Sequence, residues 1–259
     1  MTMTIAVGNQ KGGVAKTTTT LSLGACLAEQ GKTVLLIDLD PQAHLTLSTG
    51  LEPEGLRRTV SDALLANTSL LSTSRESAVF ALDIVPANQE LALIDKFLYG
   101  HKGYEYRLQK RLSRLNHSDH SGSLYDVVLI DCPPHFGTLT LNALTAADLL
   151  IIPAQCEFYA ARSLHHIIDL AKLVRRKTNP GLNYQVLITM FDRRNRICRL
   201  IYDHMQRDLD HLLFQTIIEV DTKLKESPVF HQPITHYAPQ TRGARQYRQL
   251  AQELLSHDR

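Results

Sequence analysis

The chain has 259 residues, 28 basic and 26 acidic, for a formal net charge of +2, a balance that supplies no argument for nucleic acid or membrane unless charges cluster. With 44% apolar and 21% charged residues, composition argues against disorder and low complexity. The four cysteines (26, 132, 156, 198) are far apart with no C-x-x-C pair, which argues against a disulfide scaffold or a zinc module.

In chain order, the opening MTMTIAVGNQ shows neither a basic leader region nor a cleavage site, so a cytoplasmic protein is expected. Thr4–Gly8 is a short apolar run closed by glycine, and a Gly-rich turn leads into a helical stretch from about Lys16 to Gln30, where Gly31 is placed to stop it. Thr33–Ile37, Val127–Ile130, Leu149–Ile152 and Val186–Thr189 are apolar throughout and predict buried strands. Helical patterns separate or follow them at Ala161–Lys177, Arg196–Leu213 and Gly243–Leu255, while Asn67–Ser77 and Asn116–Ser123 have the composition of plain loops. The longest charge-free run, Cys132–Ala147, carries two prolines and cannot span a membrane. Fully apolar strands alternating with helices predict an α/β fold, a doubly wound, mostly parallel sheet with helices on both faces. No repeat or composition break divides the chain, so one domain over 1–259 is expected.

The strongest chemical signal is Gly8-Asn-Gln-Lys11-Gly12-Gly13-Val14-Ala15-Lys16-Thr17-Thr18, set between the first strand and the first helix. Glycines let successive N–H groups turn toward an anion, and the helix N-terminus adds its positive dipole. Lys16 would neutralise outer phosphates and the Thr17 hydroxyl would ligate Mg²⁺. The strict G-x-x-x-x-G-K-[ST] pattern fails, because Gln10 and Ala15 occupy its glycine positions; the variant K-G-G-x-x-K-[ST] brings an additional lysine, Lys11. Two further carboxylate motifs, Asp38-Leu39-Asp40-Pro41-Gln42 and Asp131-Cys132-Pro133-Pro134, close apolar runs. Carboxylates at strand C-termini point into the crevice where such sheets bind ligands, and nucleotide hydrolysis needs one near Mg²⁺ and one near the attacking water.

These motifs, together with LTLNALTAADLLIIPAQCEFYA (139–160) and RGARQY (242–247), resemble the ParA/MinD family of deviant Walker A ATPases, most closely its small Soj-like ParA members. The resemblance covers nearly the whole chain and implies a P-loop NTPase fold, ATP and Mg²⁺ as cofactors, and a homodimer formed with ATP. It implies that residues Lys11, Gly12, Gly13, Val14, Ala15, Lys16, Thr17 and Thr18 hold the nucleotide, Lys11 reaching across to the partner's phosphates. Asp40 would position the hydrolytic water, with Thr17, Asp40 and Asp131 around the metal, Asp131 acting through water. Where the family commonly has glycine, this chain has Ala15; a residue opening a helix is expected in right-handed geometry, which accepts a Cβ without strain. Where the family commonly reads Pro-Arg-Asn-Val-Arg, residues 219–223 read Glu-Val-Asp-Thr-Lys.

Arg193, Arg194, Arg196 and Arg199 cluster near a helix start. Spacing alone gives only a solvated face, but the resemblance places DNA contacts at Arg194 and Lys223, with Glu219 and Asp221 weakening the local field and Arg193 or Arg196 compensating. His165-His166 point in different directions on a helix, His117 and His120 sit in a loop, and Cys132 reads as a small buried hydrophobe; none is assigned a role. The resemblance therefore implies a partition ATPase, nucleoid-associated, that binds DNA nonspecifically with ATP and is stimulated by a ParB-like or other cargo adaptor. The alternatives are positioning of a non-DNA cargo on the nucleoid and a MinD-like membrane cycle. No membrane partner is expected, because Tyr247, Leu250, Ala251 and Leu254 form one helical stripe suited to packing on the domain.

Overall fold

The computed structural model describes residues 2–66, 68–115, 123–157 and 160–257. Strands β1 (Met3–Val7), β2 (Val34–Asp38), β3 (Arg75–Glu76), β4 (Leu82–Val85), β5 (Val127–Asp131), β6 (Leu149–Ala154) and β7 (Asn183–Ile188) form one sheet in the order β3-β4-β2-β5-β1-β6-β7. All pairings are parallel except that of the short edge strand β3 with β4. The helices are α1 (Lys16–Glu29), α2 (His44–Ser48), α3 (Val60–Leu65), α4 (Leu70–Thr73), α5 (Leu91–Leu98), α6 (Arg107–Leu115), α7 (Thr138–Ala146), α8 (Ala160–Lys177), α9 (Arg196–Leu209), α10 (Thr222–Glu226), α11 (Ile234–Tyr237) and α12 (Arg242–His257).

The strands are apolar throughout because they feed two cores. Side chains alternate across a strand, so Ala6, Leu35, Ile37, Val128, Ile130, Leu150 and Ile152 meet one set of helices, α3 and α5 to α8 among them. Ile5, Val7, Val34, Leu36, Val127, Leu129 and Ile151 meet α1 and α12 on the other face. The stripe Tyr247, Leu250, Ala251 and Leu254 is buried there, and the Tyr247 hydroxyl lies 3.0 Å from Thr19 Oγ1 of α1. Among the described residues no helix is long and apolar enough to cross a membrane.

Gly24 on α1 packs directly against side chains of the sheet. A Cβ there would stand 2.8 Å from Leu36 Cδ2 and 3.3 Å from both Leu129 Cδ1 and Leu82 Cδ1. Gly24→Ala is therefore expected to destabilise the fold by about 1–3 kcal/mol through overpacking. Urea unfolding checks this; an unchanged midpoint would show that the interface has slack.

Several expectations change. The plain loop expected over Asn67–Ser77 is not found in residues 68–77, Asn67 lying outside the described residues: Ser69 Oγ accepts the Leu71 N–H at 3.2 Å to cap α4, buried Leu70 anchors that turn, and β3 follows. Serine-rich sequence reads as loop because its side chains bond to nearby backbone, and here that bonding caps a helix. β4 went unread, its apolar run being broken by Asp83. The last turn expected of α9 winds instead into a 3₁₀ turn, Asp210–Leu212. Of the expected loop Asn116–Ser123, residues 116–122, with His117 and His120, lie outside the described residues.

Candidate nucleotide and nucleic-acid sites

Register sets the first site. Val7 pairs with Asp131, and Asp131 with Asp38, so β1, β5 and β2 end level with one another. The loop after Val7 therefore turns beside two carboxylates at the C-terminal edge of the sheet, the crevice at which open α/β sheets hold ligands. The loop is pinned from β6 and β7 by its side chains and carbonyls. Asn9 Nδ2 donates to Pro153 O at 2.8 Å, Gln155 Nε2 to Gly13 O at 2.9 Å, and Thr189 Oγ1 to Val14 O at 3.1 Å. Its N–H groups are left open: among the described residues, none from 12 to 18 donates a hydrogen bond inside the chain.

A row of unpartnered N–H groups at a helix N-terminus is an anion cradle. Lys16, opening α1, is buried beside it with Nζ 3.4 Å from Lys11 O. Thr17 Oγ1 donates to Asp131 Oδ2 at 2.6 Å. The donor set fits a nucleotide triphosphate with Mg²⁺. No group of three or more His, Cys, Asp or Glu among the described residues is placed to hold a metal by itself.

The carboxylates differ in environment. Burial pushes Asp131 well above the usual carboxylate range, with the Asp38 charge adding to it and the Thr17 hydrogen bond and Lys16 opposing. Burial pushes Asp38 up to about 6 despite hydrogen bonds from Thr46 and the Asp40 backbone. Asp40 is also buried, and its Oδ1 accepts the Gln42 N–H at 2.9 Å. Asp38, unassigned in sequence, thus organises this loop: its Oδ2 accepts from the Thr46 N–H and hydroxyl at 2.9 and 2.7 Å, its Oδ1 from Asp40 N at 3.0 Å.

Ala15 departs from expectation. It caps α1 at φ +69°, ψ +33°, in the left-handed region and not the right-handed one. A cap residue need not share the helix's dihedrals, and here the loop must reverse to aim its N–H groups; Gly13 does likewise at φ +72°. For alanine this conformation costs roughly 1–2 kcal/mol. Ala43, the cap of α2, and Met190, after β7, are left-handed too, at φ +53° and +51°.

Lys11 is held within its own chain: Nζ pairs with Glu157 Oε2 at 2.5 Å and lies 3.4 Å from Gln155 Oε1. Sequence reasoning assigned neither partner a role, although both are polar residues directly after an apolar strand.

The second candidate site lies beyond β7. An isolated parallel bridge joins Phe191 to Glu219, bringing the segments of Arg194 and Lys223 alongside each other. Both cations are exposed and paired at the surface, Arg194 with Asp192 at 3.2 Å and Lys223 with Glu226 at 2.7 Å. Such exposed pairs are weak and open to exchange with phosphate. Glu219 is different. Its side chain is buried and accepts from Arg193 Nε at 2.9 Å, Arg242 Nη1 at 2.8 Å and Gln246 Nε2 at 3.0 Å. Arg193, itself largely exposed, pairs with Glu219 and so offsets that acid's charge, whereas Arg196 and Arg199 are exposed with no carboxylate paired among the described residues. Asp221 caps α10 through the Lys223 N–H and also accepts from Gly243 N. His165 and His166 are exposed and Cys132 is buried, its thiol pushed up by burial.

A family model described as an AAA domain matches residues 2–184. Sporulation initiation inhibitor protein Soj of Bacillus subtilis is 37% identical over 254 residues, 98% of each chain. Chromosome partitioning protein ParA of Caulobacter vibrioides is 34% identical over 256 residues, 98% of this chain and 94% of that one. Among solved structures, cobyrinic acid a,c-diamide synthase from Mycobacterium smegmatis with bound ADP and magnesium superposes with a TM-score of 0.85 at 37% identity, covering 99% of this chain and 95% of that one.

Proposed function

Because the chain belongs to the ParA/MinD family of deviant Walker A ATPases, we propose that it is a nucleoid-associated, cytoplasmic partition ATPase whose ATP form pairs into a homodimer and binds DNA without sequence preference. Its cofactors are ATP and Mg²⁺. The observation that carries the reading is the open row of N–H groups from 12 to 18, flanked by two lysines and the Thr17–Asp131 hydrogen bond. In this reading the N–H row and Lys16 hold the phosphates. Thr17 would hold Mg²⁺, with Asp131 beside it supporting the metal site, and Asp40 would orient the attacking water. The metal, when bound, neutralises phosphate charge. A ParB-like or other adaptor stimulates turnover and couples it to cargo.

Lys11 supplies the pairing. Two nucleotides facing each other repel, and a lysine given by each subunit to the opposite phosphate offsets that repulsion. The Glu157 contact competes for the same lysine. ATP with Mg²⁺, but not ADP, is therefore expected to produce a dimer in sedimentation, most clearly in Asp40→Ala. Lys11→Ala should stay monomeric while still binding nucleotide, and Glu157→Gln should dimerise at several-fold lower ATP. A purely monomeric Asp40→Ala with ATP would overturn the reading.

Two other readings are less well supported. A MinD-like cycle needs an apolar helical face free for lipid, whereas the α12 stripe is buried against α1. Amide synthesis, the activity named for the Mycobacterium structure, is the other, and a cysteine nucleophile for it would have to be a reactive thiolate. All four cysteines are buried here, and burial pushes the Cys26 and Cys156 thiols up to about 12.

A further inference from the structure

We propose that Ala15 sets how tightly this chain holds its nucleotide, by making the ligand-ready shape of the phosphate loop a strained one. This rests on the ATP-binding reading and adds to it a residue that weakens binding. Ala15 stands at φ +69° directly before Lys16, a conformation that glycine adopts freely and a Cβ disfavours. Next to it the backbone is anchored through carbonyls, Gly13 O to Gln155, Val14 O to Thr189, and Ala15 O to the Thr19 N–H at 2.9 Å, while the side chains of Asn9 and Thr17 hold the loop farther out. The N–H groups of residues 12 to 18, that of Ala15 included, have no partner within the described chain. The bonds that would hold the left-handed turn from the N–H side come only with a phosphate.

Ala43 is the internal comparison. It is left-handed as well, at φ +53°, but it is buried in the core and its N–H donates to Asp40 O at 2.9 Å. The fold itself enforces that turn, with or without nucleotide. At Ala15 the empty loop relaxes out of the costly shape part of the time, and the apparent Kd rises by the inverse of the fraction that stays competent. Strain of this kind, concentrated at a ligand clamp, is a way of tuning the ligand. ATP and ADP present phosphates to the same N–H groups, so both are weakened. The product then leaves readily, and the chain reloads without being trapped in the ADP state.

The test titrates fluorescent ATP and ADP, each with Mg²⁺, into the full chain carrying Ala15→Gly or Ala43→Gly, beside the unaltered protein, with a urea melt of each. Ala15→Gly should bind both nucleotides up to about tenfold more tightly, equivalent to about 1.4 kcal/mol. Ala43→Gly should raise the unfolding midpoint and leave both affinities within about twofold. A folded Ala15→Gly that binds no more tightly overturns the proposal, as does an equal gain from Ala43→Gly, which would make the effect one of general stability. If the unaltered chain and Ala15→Gly both bind neither nucleotide, the ATP-binding reading falls along with it. Binding by the unaltered chain with no gain in Ala15→Gly removes this inference alone.

Discussion

Replacing Asp40 with alanine is expected to lower ATP turnover by a factor of about 10² to 10⁴ while ATP binding persists. In the proposed site the phosphates would rest on the N–H row and Lys16, neither of which involves Asp40. Asp40 instead sits in the loop after β2, with Oδ1 engaged by the Gln42 N–H and its backbone fixed by Asp38. Its second carboxylate oxygen has no partner among the described residues and is the acceptor available to a water. Asp40→Asn keeps the shape and removes the charge, so it should be nearly as slow. Phosphate release at saturating ATP measures the loss, and equilibrium nucleotide binding measures what remains. Turnover within threefold of the unaltered chain would take Asp40 out of the chemistry.

The second large effect is expected on DNA. Each phosphate contact releases counterions, so log K should fall with log salt at about −0.9 per contact. A dimer presents Arg194 twice, and Arg194→Ala in the Asp40→Ala background with ATP should flatten that slope by about 1.8, with ATP binding intact. Lys223→Ala should give a smaller change. Each cation already has a carboxylate partner, Asp192 for Arg194 and Glu226 for Lys223, but the lysine also lies 5.8 Å from the Tyr237 ring centroid, so more of its charge is occupied. Unchanged slopes in both variants would reject this face. Absence of any ATP-dependent DNA binding would reject the nucleoid-matrix mechanism.

Much of this was legible in the sequence where chemistry and periodicity coincide. Apolar runs ending in Asp38 and Asp131 announce parallel strands with carboxylates at their tips, and the lysine-glycine loop announces what lies between them. Order in the sheet was not legible: nothing in TVLLI or VVLI says that β5 inserts between β1 and β2, yet that insertion puts Asp131 against Thr17. The left-handed Ala15 was missed because dihedral angles at a helix cap follow from where the loop must aim its N–H groups, a tertiary demand. Long-range polar pairs were missed for the same reason. Glu157 meets Lys11, and Glu219 meets Arg193 and Arg242, across separations that no local pattern encodes.

Glu219 also ties together segments that the chain keeps far apart. Its buried carboxylate serves two arginines and a glutamine from separate segments, and its own N–H donates to Gln246 Oε1 at 2.9 Å. Glu219→Pro alone would delete that N–H and leave Arg193, Arg242 and Gln246 without their shared acceptor. Changing either arginine alone would leave a buried carboxylate under-compensated. Substitutions at these four positions are therefore coupled, and their energies will not add. One buried acid thus acts as a keystone for three segments far apart in the chain, and each of its partners can be exchanged only together with it.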